Sequence, residues 1–140
     1  MSRIFWDTNL FIYLIEDYGK LSERVVRLRE RMLGRGDQLF TSALTLGEVL
    51  VKPLDANEEQ LAERYRYAIT SGATIIDFDI EAAVHYARIR HDRTIRPPDA
   101  IQLACGAAAK VDLFITNDDR LAQTAVNGIH FIASLEKALI

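Results

Sequence analysis

The chain has 140 residues, 49% of them hydrophobic and 26% charged, an ordinary globular mix long enough to bury a core as one domain, 1–140. Its formal net charge of −3 excludes a global basic field of the kind that draws a protein to nucleic acid or membrane. One cysteine, Cys105, excludes an internal disulfide framework and any cysteine-built zinc site, and it points to a reducing, cytoplasmic compartment.

Arg3-Ile4-Phe5-Trp6 reads as a short buried strand ending at Asp7. Asp7-Thr8-Asn9 then supplies capping residues for an apolar helix over residues 10–16, too short to span a bilayer. Ser22 opens a second helix, in which Val25, Leu28 and Met32 recur at helical spacing and Gly34 is the expected C-cap. Its other face carries Arg24, Arg27 and Arg31. Leu39-Phe40-Thr41 is the second strand, and Ser42 caps a helix over 43–51 that Pro53 is expected to stop. Asn57 opens a helix to residue 70, Gly72 breaks it, and a third strand covers 73–76. Asp79 caps a helix over 80–90, followed by a basic loop with Arg88, Arg90, Arg93 and Arg96.

Pro97 and Pro98 suit the first turn of the next helix, where a missing N–H costs nothing. After Asp99 that helix is almost wholly small or apolar, so it belongs in the interior. A strand over 113–115 follows, then Thr116-Asn117-Asp118-Asp119 opening a short helix to about 125. A last strand over 129–132 and a closing helix over 134–139 complete the chain. Short apolar runs alternating with helical patterns indicate βα units. The expected fold is a three-layer α/β domain with a mainly parallel sheet of four or five strands flanked by helices.

In such a sheet, ligands bind beyond the carboxyl ends of the strands. Asp7 and Asp118 follow strands, Glu48 lies in the helix after the second strand, and Asp99 opens the buried helix. Each has a plainer role open to it. Asp7 and Asp118 can cap helices. Glu48 can pair with Lys52, although Leu44 and Val51 on its helical face point to partial desolvation. Two carboxylates about 4 Å apart repel by about 4 kcal/mol at an effective dielectric near 20, so a cluster must take up protons or bind a cation. Oxygen-only ligands favour Mg²⁺ or Mn²⁺, and His85, His91 and His130 show no zinc-ligand spacing. Acid-only magnesium sites are standard equipment for phosphate chemistry.

Asp7-Thr8-Asn9, Glu48 within Thr45-Leu46-Gly47-Glu48-Val49, the Pro98–Ala104 run around Asp99, and Thr116-Asn117-Asp118 resemble, in order, the four signatures of the PIN-domain ribonucleases. The size is similar to that of VapC-type toxins of toxin–antitoxin pairs. The resemblance implies that Asp7, Asp99 and Asp118 are catalytic metal ligands and that Glu48 positions water or joins a second cation. Asn9 and Thr116 would orient those carboxylates. Asp119, beside Asp118, either shares its role or caps the helix. The implied reaction is Mg²⁺- or Mn²⁺-dependent hydrolysis of a phosphodiester in single-stranded RNA, leaving a 5′-phosphate. Implied partners are RNA, a VapB-type antitoxin and a second copy of the chain, with no membrane role.

A negative pocket needs a basic rim to admit RNA. Arg88, Arg90, Arg93 and Arg96 are the first candidates, and Arg24, Arg27 and Arg31 the second, against local pairs such as Glu23–Arg27. Tyr65 and Tyr67 are read as packing residues before base-stacking ones. A haloacid-dehalogenase-like phosphatase needs Asp-x-Asp after the first strand, and position 9 is Asn. A non-catalytic PIN-like module that binds RNA or protein is the remaining alternative.

Overall fold

The computed structural model describes residues 1–138. Its centre is β1 (Arg3–Trp6), whose alternating side chains serve two cores. Ile4 and Trp6 enter one hydrophobic cluster, Phe5 the other, and all three are fully buried. A strand buried on both faces belongs inside a parallel sheet covered by helices on both sides.

That sheet has five strands in the order β3-β2-β1-β4-β5, all parallel, with β2 Gln38–Ser42, β3 Thr74–Ile76, β4 Leu113–Thr116 and β5 Phe131–Ser134. One face is covered by α1 (Thr8–Ile15), α2 (Lys20–Arg35), α3 (Ala43–Asp55) and α4 (Glu59–Gly72). The other is covered by α5 (Ile80–Ile89) and α6 (Pro97–Ala108). The expected three-layer α/β architecture is present. Among the described residues no helix is long and apolar enough to cross a membrane.

The chain order reverses at β1, which pairs with β2 on one side and β4 on the other. Everything at the carboxyl ends of β1 and β4 therefore meets at a topological switch point. α6 packs tightly on β4, since a Cβ on Gly106 would stand 3.3 Å from the Phe114 ring, which itself stacks on Phe5 at 4.8 Å.

Several boundaries differ from expectation. α2 begins at Lys20, and its C-cap is Gly36 at φ 74°, not Gly34, because the left-handed cap falls two residues later. Pro53 does not stop α3. It is buried within the helix's last turns, where apolar packing offsets the one hydrogen bond its ring removes. Asn57 does not open α4 but takes a left-handed turn at φ 56°, and Glu58 becomes the cap. The helix expected after Asp118 is only a 3₁₀ turn over Leu121–Gln123, which Asp118 caps and which ends where Thr124 turns extended at ψ 159°. β5 starts at Phe131, two residues later than expected, after Gly128 at φ 100°. Ser134 ends β5, residues 135–137 form turns where a closing helix was expected, and Leu139 lies outside the described residues.

Candidate active site at the sheet switch point

The carboxyl end of β1 delivers Asp7 directly into a cavity of about 290 Å³ whose border also includes Glu48, Asp99 and Asp118. Four acids separated by up to 111 positions in the sequence thus line one pocket, because β1 and β4 are neighbours and α3 and α6 both start at the same end of the sheet. Asn9, Arg96 and Gln102 complete its polar wall.

Asp7 is the innermost acid. Its Oδ1 accepts from the Thr8 N–H at 2.9 Å and its Oδ2 from the Thr116 hydroxyl at 2.8 Å. Burial pushes its carboxyl up to about 6, ahead of the opposing effect of those two donors. The like charges of Asp99 and Glu48 push it the same way, which places both within electrostatic reach. Thr116 also accepts from the Asp118 N–H at 3.0 Å, so one hydroxyl ties the end of β1 to the end of β4. Asp118 Oδ1 accepts from the N–H groups of Arg120 and Leu121 at 2.9 and 3.2 Å. Asp7 and Asp118 therefore fill the capping roles open to them while facing a shared pocket.

Asp119 is exposed and does not border the cavity, whereas Asp118 does. Asp99 sits in the first turn of α6, its Oδ2 3.5 Å from Nε of the exposed Arg96, so a cation stands at the pocket's edge. Glu48 is exposed rather than desolvated between Leu44 and Val51, since Val51 is itself 57% exposed. Its Oε1 accepts from the Thr8 hydroxyl at 2.6 Å and from Gln102 Nε2 at 3.4 Å.

Gln102 anchors a network that sequence reasoning passed over. Its Nε2 donates to Thr45 Oγ1 at 2.8 Å and Thr8 Oγ1 at 3.0 Å, and its Oε1 accepts from Ser42 Oγ at 2.5 Å. Thr41 donates to Thr45 at 2.9 Å behind it. Gln102, Thr41, Ser42 and Thr45 are all buried, so a fully bonded polar layer holds Thr8, and through it Glu48, in place. The signal was there: Gln102 is the one polar residue in an otherwise apolar run of α6.

The candidate basic rim is only partly assembled. Arg96 borders the pocket, while Arg88 borders a cavity further along the surface and Arg93 is exposed in the connecting loop. Arg90 turns inward and donates to the Ile95 carbonyl at 2.6 Å, holding that loop. Arg24, Arg27 and Arg31 are exposed on α2 and none borders the acidic pocket. Tyr65 is buried with its hydroxyl on Glu16, as a packing residue, and Tyr67 is exposed. Burial pushes the Cys105 thiol up to about 11, so it is an interior hydrophobe rather than a nucleophile.

The donor set suits a hard divalent cation: oxygen only, mutually repelling and partly desolvated. Among the described residues no three His, Cys, Asp or Glu side chains converge into a ready-made cage. Mg²⁺ usually retains several waters and takes one or two carboxylates directly, so the fit is to a cation bridged partly through water.

An open α/β sheet with an acidic pocket at its switch point defines a class before it defines a family. The PIN domain family model matches residues 4–127, and the chain belongs to that family. Solved structures share its fold. VapBC2 from Rickettsia felis bound to a fragment of its promoter DNA superposes with a TM-score of 0.75 at 15% identity, covering 94% of this chain and 97% of that one. DNA-bound VapBC from Salmonella typhimurium gives 0.67 at 23%, covering 96% and 99%. A toxin–antitoxin complex from Klebsiella pneumoniae gives 0.67 at 24%, covering 91% and 95%. A comparison with curated proteins gives no match.

Proposed function

We propose that the protein is a divalent-metal-dependent endoribonuclease acting on single-stranded RNA, the toxin of a VapBC-type pair. The observation that carries this reading is the meeting of Asp7, Glu48, Asp99 and Asp118 in one pocket at the switch point of a PIN fold. Asp7, Asp99 and Asp118 would hold Mg²⁺ or Mn²⁺, and Glu48 a water or a second ion. When bound, the cation would polarise the phosphodiester and neutralise charge at phosphorus. The chain's own groups do the rest. Thr116 ties the Asp7 carboxylate to the Asp118 backbone, and Thr8 with Gln102 aims Glu48. Arg96, beside Asp99, supplies positive charge where the substrate phosphate would approach.

The presence of all four acids, supported by bonded neighbours, favours turnover over a binding-only module. An antitoxin partner is supported by the VapBC complexes among the structural neighbours, and a VapB-type segment carrying an arginine would complement the pocket's charge. A cytoplasmic homodimer completes the proposal.

The test is cleavage of a fluorescent single-stranded RNA by purified protein. Mn²⁺ should support cleavage and EDTA abolish it. Asp99→Asn should lower the rate by more than about 100-fold, since even the partners that merely orient metal ligands are worth 10–100-fold. Undiminished cleavage by Asp7→Asn and Asp99→Asn would remove the reading.

A further inference from the structure

The acidic pocket is one end of a longer depression. Asp99 and Asp118 form a shared wall with a second cavity of about 240 Å³, bordered by Thr94, Ile95, Arg120 and Thr124. Ile95 and Thr124 in turn form a shared wall with a third cavity of about 510 Å³. The three therefore lie side by side, in a row from the carboxyl ends of β1 and β4 to the far end of α5.

The acidic character falls away along this row, and basic side chains appear. The inner end is acidic. The outer part is edged by Arg120, then Arg88, His85 and His91. Its one acid, Asp92, is kept ionised by Thr94, its Oδ1 accepting from both the N–H and the hydroxyl of that residue. The floor is apolar, formed by the buried Ile89 and Ile95, and the wall from 123 to 127 offers neutral hydrogen-bonding groups on Gln123, Thr124 and Asn127. Arg90, by holding the Ile95 carbonyl, fixes the loop that makes the opposite wall.

We propose that this trough is the track of the RNA strand on one side of the scissile phosphate, with the 510 Å³ cavity taking a nucleotide that flanks the cut. A cationic edge meets backbone phosphate, an apolar floor meets a base face, and amide side chains meet base edges, the combination that single-stranded RNA requires. The volume lies within the range of small-ligand sites. The proposal rests on the nuclease reading for its direction, because it assigns the acidic end to the bond that breaks.

The test measures binding of a fluorescent ten-nucleotide single-stranded RNA by anisotropy across a salt series, alongside its cleavage in Mn²⁺. The chain is compared with a triple variant, Arg88→Ala with Gln123→Ala and Asn127→Ala. All three side chains are exposed, so an unchanged Tm is expected and checked. The variant should bind at least about fivefold more weakly, and its log–log salt slope should fall by about 0.7, the loss of one phosphate contact on a single strand. Its kcat/KM should fall in step with the weaker binding. An unchanged Kd and slope would overturn the track while leaving the nuclease reading intact. Weakened binding by the variant, with no cleavage by the unmodified chain, would keep the RNA contacts but overturn the nuclease reading and, with it, the track's direction. Binding of a fluorescent acidic peptide by the unmodified chain, lost in the triple variant, with no binding of the RNA, would overturn the track in favour of a protein-docking groove.

Discussion

Asp7 is held where charge is costly. Its carboxyl, pushed up to about 6 chiefly by burial, binds a proton more readily in the fold than in the unfolded chain. A raised acid contributes stability that is present below its ordinary value and is lost as pH rises through about 6. The metal-free protein should therefore be more stable at pH 5 than at pH 7.5 on this account, and Asp7→Asn should flatten that difference. At pH 7.5 the variant should gain on the order of 1–2 kcal/mol, discounted for the partial exposure of the site, read as a higher Tm without metal. A lower Tm would show that the Thr8 and Thr116 bonds outweigh the burial cost. Gln102 works the other way. Gln102→Leu keeps the volume but strands the Ser42 hydroxyl in the interior, at a cost of about 1–3 kcal/mol in urea unfolding. At this level Asp7, Asp99 and Asp118 were legible because each follows a strand or opens a helix, and Glu48 because it lies in the helix that follows β2. Thr8, Thr45 and Gln102 were not, because their bonds form only when α6 and α3 close on β2.

Among the elements, those with strong internal patterns were read well, and their ends less so. β1, α5 and α6 follow from an apolar run, an Asp cap and a Pro-Pro start. The end of α3 did not, because tolerance of Pro53 depends on the packing it finds. The segment after Asp118 carries helix-capping letters, yet it forms a single 3₁₀ turn before Gly128 redirects the chain into β5. That glycine has no room for a substitute: at φ 100°, its Cβ would lie 3.0 Å from the Ala107 carbonyl oxygen. Gly128→Ala should cost about 1–3 kcal/mol and lower Tm by several degrees. An unchanged Tm would mean that the 124–130 segment moves independently of α6.

Over the molecule, a net charge of −3 and an acidic pocket look unsuited to RNA until the charge is mapped onto the fold. Parallel topology gathers the carboxylates at one end, Arg96 stands at their edge, and further basic groups edge the trough leading away. The α/β class and the parallel sheet were legible from alternating patterns alone. The strand order β3-β2-β1-β4-β5, which makes the carboxylates neighbours, was not, because pairing between β1 and β4 joins residues more than 100 positions apart. On the proposed function, a divalent cation relieves the repulsion. Calorimetric titration of Mn²⁺ into the protein at pH 7.5 should give saturable binding that weakens at pH 5.5, as Asp7 takes up its proton, and that disappears in Asp99→Asn. Absence of binding to the unmodified chain at pH 7.5, or equal binding by Asp99→Asn, would contradict it.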